Sequence, residues 1–303
     1  MRKVFTLVVF ILSAFLIAGS YGGSGGGVAG TTWAQRNSPT SNHLYGVTYG
    51  NNTFVAVGND GIILTSRDGV NWTQRNSGTG RHLERVAYGN NTFVAVGWDG
   101  TILTSRDGVN WTQRDSGTFG ILRGVTYGNK TFVAVGSVGL DGLILTSRDG
   151  IIWTWRKSGT STLYSVTYGN NTFVAVGERG IILTSRDGVN WTQYNLGTGR
   201  SLSDVAYGNK TFVAVGWDGV VLTSQDGVNW TKPNLGIGID LYGVAYGNNT
   251  FVAVGWDGLI LTSRDGVNWT ERDSGTDNNL LGVAYGNRTF VAVGSNGTIL
   301  TSP

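Results

Sequence analysis

A segment of 24 residues governs what this chain can fold into: positions 49–72 read YGNNTFVAVGNDGIILTSRDGVNW and return almost unchanged to the end. The opening Tyr49 recurs as Tyr88, Tyr127, Tyr168, Tyr207, Tyr246 and Tyr285, at steps of 39, 39, 41, 39, 39 and 39 residues. A period near 40 with several strand-like runs per copy is the pattern of a propeller blade. Within the first copy, residues 44–49 predict a short strand A. Gly50-Asn51-Asn52 form a turn, residues 53–57 a strand B, and Asn59-Asp60-Gly61 a second turn. Strand C follows over residues 62–66, a tight turn over 67–71, and a polar strand D over 72–76. The unbroken apolar runs of B and C require cover on both faces, which stacked blades provide. Polar strand D suits an outer edge that must not recruit other strands.

The chain ends decide the architecture. The last copy stops at Thr301-Ser302-Pro303 and lacks strand D, whereas residues 32–38 (TWAQRNS) match the D segment of the first copy. Trp33 is in register with Trp72, Trp111, Trp153, Trp191, Trp230 and Trp269. The expectation is therefore an all-β, seven-bladed β-propeller of four-stranded blades over residues 32–303, closed by an N-terminal strand that completes the last blade. An open solenoid would need capping repeats instead.

Ahead of the repeats, Arg2 and Lys3 precede an apolar run and Ala18-Gly19-Ser20, the anatomy of a secretory signal peptide over residues 1–20. Residues 21–31 read as a Gly-rich linker. Bacterial-type export to the cell envelope or beyond follows as an expectation, with no integral membrane domain after cleavage. A retained N-terminal anchor is the alternative. The net charge of +3, two units of it in the leader, offers no electrostatic case for nucleic acid. Zero cysteines exclude disulfides and thiolate metal sites, and His43 and His82 have no Cys partners, so neither metal nor cofactor is expected.

The segment Ser66-Arg67-Asp68-Gly69-Val70-Asn71-Trp72 resembles the Asp-box of BNR and sialidase-type propellers, with one residue fewer between Asp and Trp. The whole repeat is similar to those of exported bacterial repeat proteins and of the photosystem II stability and assembly factor family. The resemblance implies that Asp68, Asp107, Asp149, Asp187, Asp226 and Asp265 are structural and lie opposite the ligand face. It does not assign an activity.

Comparing the seven copies directs attention to one face. The A–B and C–D turns barely vary, but the D–A loops and B–C turns do, and strand order puts both on the same side of the ring. The first B–C residue is Trp98, Glu178, Trp217 or Trp256 in four copies, and the third copy inserts two residues there. In strand A, Glu84, Arg85, Arg123 and Asp204 depart from the other copies. Indoles and arginines are favoured at binding hot spots, so these eight residues are the candidate ligand-binding set. Trp217 and Trp256 would form one platform, and Trp98 with Arg85 and Arg123 a second subsite. A glycosidase carboxylate pair, roughly 5–10 Å apart, is not expected from Glu84 and Asp204, which fall in blades two and five. The expected function is thus a monomeric, non-enzymatic propeller binding a protein or glycan through the variable face. A sialidase-like glycan hydrolase and an assembly-factor-like chaperone scaffold are the alternatives.

Overall fold

Consecutive apolar residues on a strand point alternately to its two faces, and here each face meets a different neighbour. In the computed structural model, which describes residues 29–157, 159–195, 199–233, 236 and 238–303, Phe54, Ala56 and Leu64 of blade one pack against Val291, Val293 and Ile299 of blade seven. From the opposite face of the same sheet, Val55, Val57 and Ile63 pack on Phe93, Ala95 and Leu103 of blade two. Each FVAV segment thus presents a large-plus-small pair backwards and two valines forwards, and the seams interdigitate. Burying each such side chain contributes about 1.5–3 kcal/mol. The indoles follow the backward face: Trp72 packs in the seam with blade seven, not over the next blade, and its Nε1 donates to Gly69 O at 2.8 Å.

Seven antiparallel sheets result, six with their strands in sequential order and the seventh with the N-terminal strand beside the last strand of the chain. Blade one contains strand A over Leu44–Gly50, B over Thr53–Gly58, C over Ile63–Ser66 and D over Thr73–Arg75. The A–B turn places Asn51 and Asn52 at φ 45° and 55°, the two left-handed positions of a tight hairpin turn. The B–C connection is one 3-10 turn, Asn59–Gly61. The two extra residues of blade three replace it with a longer hairpin, Thr131–Val138 and Asp141–Ser147, whose tip leaves Leu140 exposed.

Strand A ends in Tyr-Gly because neighbouring blades approach there. A Cβ on Gly50 would lie 2.1 Å from Cγ of Tyr88 in the next blade. The contact repeats at every seam and closes on itself, with Gly286 of blade seven under Tyr49 of blade one.

The seventh blade is completed by Ala34–Gln35, which pairs with the last strand in the register Ala34↔Thr301. Its C–D turn is assembled from both chain ends. Gly30 N donates to Ser302 Oγ at 3.0 Å, as Gly69 N does to Ser66 Oγ at 2.9 Å, and Trp33 Nε1 donates to Gly30 O. Ala29 and Gly30 are buried, so the ring takes up residues the sequence reading assigned to the linker. The expected signal segment, residues 1–20, lies outside the described residues. Among those described, no helix is long and apolar enough to cross a membrane.

Blade five departs from the four-stranded pattern. Its outer strand shrinks to a single bridge, Thr223↔Thr231. The next ladder bond would need the N–H of residue 233, the counterpart of the Arg36 N to Ile299 O bond in blade seven. Residue 233 is proline and has no N–H to give.

Candidate functional site at the channel mouth

Strand A lines the central channel, and in every blade its pairing with strand B slips by one residue, between Leu44 and Gly46 in blade one. Such a bulge leaves one residue unpaired and re-aims its side chain. The seven residues so released are Tyr45, Glu84, Arg123, Tyr164, Ser203, Tyr242 and Leu281, and all seven line one cavity of about 190 Å³ together with Arg85 and Trp217. The bulges therefore turn a channel wall into a site, and blade-to-blade variation at this one position writes its chemistry.

The three tyrosines were not singled out from the sequence, because Tyr or Leu at this position reads as ordinary strand filling. Burial pushes the phenols of Tyr45, Tyr164 and Tyr242 above their usual pKa, which keeps them neutral hydrogen-bond donors at physiological pH. The Arg123 guanidinium lies over the Tyr164 ring, 5.5 Å from its centroid. Among the described residues its buried Nε has no hydrogen-bond partner, so the mouth presents an unmet donor. Arg85 is held by backbone carbonyls, its Nη1 donating to Tyr45 O at 2.6 Å and Glu84 O at 3.1 Å.

Of the eight candidates, Glu84, Arg85, Arg123 and Trp217 meet in this cavity. Arg123 of blade three and Trp217 of blade five, expected in different subsites, both line this one cavity. Trp98 stands beside the cavity, donating from Nε1 to Glu84 Oε1 at 2.5 Å and meeting His82 edge-on at 4.7 Å. Trp256 is half-exposed on the same face, and Glu178 pairs with Arg179 at 3.7 Å. Asp204 is the exception. Its carboxylate accepts from Ser165 Oγ at 2.6 Å, from Val205 N and from Val244 N at 2.9 Å, stitching blades four, five and six. With both oxygens committed to these seams, it is not available to a ligand.

Some of the variation on this face is structural. In four blades the side chain of the residue before strand A accepts a backbone N–H from the preceding blade's B–C turn. His43 Nδ1 accepts from Asn296, His82 Nδ1 from Asp60, Asp240 Oδ1 from Asp218 and Asn279 Oδ1 from Asp257. Any short acceptor serves, so His, Asp and Asn interchange here without a ligand to explain them.

On the opposite face, Asp68 accepts at one oxygen from Val70 N, Asn71 N and Ser66 Oγ, and at the other from Asn71 Nδ2. These bonds, the Asn71 N–H first, hold its carboxyl well below the usual carboxylate range. The same set recurs around Asp107, Asp187, Asp226 and Asp265. At Asp149 the side-chain bond is missing because Ile152 replaces the Asn.

No protein-family model and no curated protein sequence matches the chain. Among solved structures it is similar to YCF48 from Cyanidioschyzon merolae, at 20% identity and TM-score 0.70 over 89% of this chain and 98% of that one. It is similar also to YCF48 bound to D1 peptide, at 21% identity and TM-score 0.71 over 89% and 96% of the two chains. A catalytically inactive virginiamycin B lyase from Staphylococcus aureus with quinupristin superposes at TM-score 0.80, with 10% identity over 89% and 98%. At such identities the likeness establishes the fold: this chain is a seven-bladed β-propeller, the ring it shares with YCF48 and with virginiamycin B lyase.

Proposed function

We propose that this protein is a non-enzymatic scaffold that holds a protein partner over the channel mouth of the variable face. The observation that carries the reading is the convergence of Trp217, Arg123, Arg85, Glu84 and three tyrosines on one cavity. Trp, Tyr and Arg dominate binding hot spots, and they gather on the face where seven near-copies diverge. The YCF48 structure with D1 peptide is a precedent for a polypeptide ligand on this ring.

The lyase neighbours favour an enzyme as the second reading. Against it, the acid groups at the mouth are engaged: Glu84 with the Trp98 indole, and Asp204 within the blade seams. Export to the cell envelope remains part of the proposal, on the strength of the leader-like residues 1–20.

The test compares a Trp217→Ala, Trp256→Ala variant with an Arg67→Ala, Arg264→Ala control on the opposite face, in cross-linking pull-downs from envelope extract and on a glycan array. Loss of the same cross-linked protein by the first variant alone is expected. Equal retention by both variants, with unchanged melting, would remove the case for this face.

A further inference from the structure

Charge is unevenly divided in this molecule. The B–C turns of the variable face carry Asp60, Asp99, Asp141, Glu178, Asp218 and Asp257, and its loops and strand A residues add Glu84, Asp204, Asp240 and Asp277. Against these ten carboxylates stand five guanidiniums, Arg81, Arg85, Arg123, Arg179 and Arg200. The opposite face has the reverse balance. There Arg67, Arg106, Arg148, Arg186 and Arg264 in the C–D turns join Lys130, Lys210 and Arg288 in the A–B turns, against six turn aspartates. A chain of net charge +3 thus presents an acidic face around its channel mouth.

The acidity is concentrated further by pairing. Arg81 meets Asp99 at 2.6 Å and Arg200 meets Asp218 at 2.6 Å, which internally neutralises blades two and five. The B–C turns of blades six and seven, residues 256–258 and 295–297, and the loop 273–279 between these blades contain no Lys or Arg. Among the described residues, Asp240, Asp257 and Asp277 have no ion-pair partner. Asp257 and Asp277 are exposed, and Asp240, half-buried, accepts Asp218 N at Oδ1. In the same sector Trp217 and Trp256 occupy equivalent positions of adjacent blades, 47% and 48% exposed.

Building on the reading of this face as a binding surface, we propose that the partner docks through a cationic polypeptide segment, whose Lys or Arg side chains lie across blades five to seven between Trp217, Trp256 and the unpaired carboxylates Asp240, Asp257 and Asp277. Indole faces attract guanidinium and ammonium groups, and adjacent carboxylates supply their counter-charge. The same field repels nucleic acid, anionic lipid and acidic glycans. Carboxylates spread over two blades suit an extended chain bearing several cations better than a single compact ion.

The experiment uses the full-length protein and a labelled peptide of alternating arginine and serine, with a glutamate–serine peptide and an aminosugar oligomer as comparison probes. Asp240→Asn, Asp257→Asn and Asp277→Asn together remove three charges yet keep the acceptor for Asp218 N. They also suit the left-handed φ of 51° at Asp257, which Asn tolerates. Unchanged melting confirms that the fold survives. Fluorescence anisotropy at low salt should show the arginine peptide bound by the parent, and about tenfold or more weaker on the triple variant. Trp217→Ala, Trp256→Ala should weaken it similarly, Arg67→Ala, Arg264→Ala should not, and raised salt should release it. No binding by the parent, equal binding by the triple variant, or capture of the aminosugar alone overturns the proposal. Preference for the glutamate peptide that is lost in the tryptophan variant also overturns it, while leaving the binding face itself intact.

Discussion

At Asp107 and its counterparts, a carboxylate on an exposed turn collects the N–H groups two and three residues on, here Val109 and Asn110. Those bonds favour the charged form and depress its pKa. A group depressed in the folded state contributes stability that is full above its unfolded value, about 4, and is lost as pH falls through the folded value. Asp107→Asn should therefore be less stable than the parent in urea at neutral pH, with a gap that narrows on acidification below about pH 4. A gap unchanged with pH would show that charge plays no part. This role was legible in the sequence because every bond partner lies within three residues. Asp204 was not legible, because Ser165 and Val244 stand 39 and 40 positions away.

The repeated elements make ring closure measurable. Gly128 and Gly286 occupy the same place under Tyr168 and Tyr49, but only the second contact joins the first and last blades. Gly128→Ala and Gly286→Ala should each cost about 1–3 kcal/mol or more from overpacking, with similar losses in thermal or urea unfolding. A negligible cost at Gly286 alone would mean that the ring is not sealed there. Removing residues 29–38 takes away the last blade's outer strand and Trp33. A loss of about 3–5 kcal/mol, the range for a large core aromatic, is expected by denaturation. An unchanged melting temperature would place those residues outside the ring. Existence and order of strands were readable from periodicity. The collapse of blade five's outer strand was announced only by Pro233, a signal that is obvious once the ladder bond it interrupts is known.

For the whole molecule, the acidic variable face and basic opposite face define a direction in which a charged partner approaches. The leader-like segment predicts a further property: protein recovered from outside the cytoplasm should begin near Tyr21 by mass spectrometry. An intact Met1 in the membrane fraction would instead support a retained anchor. The two results differ in consequence, since an anchored chain carries its ring on a short glycine-rich segment at the membrane surface.

What the sequence determined alone was the ring. Seven copies of one period, a missing last strand and its duplicate at the front admit one closed solution, because each blade's two apolar faces can be covered only by its neighbours. The identity of the variable face followed too, from strand order. The site itself was decided by tertiary structure. A one-residue bulge in every strand A turns Tyr45, Tyr164 and Tyr242 toward a shared cavity, and the curvature of the ring brings Arg123 of blade three and Trp217 of blade five to the same cavity. Neither is written in a single repeat, since a repeat carries the bulged residue but not the six others that face it across the channel.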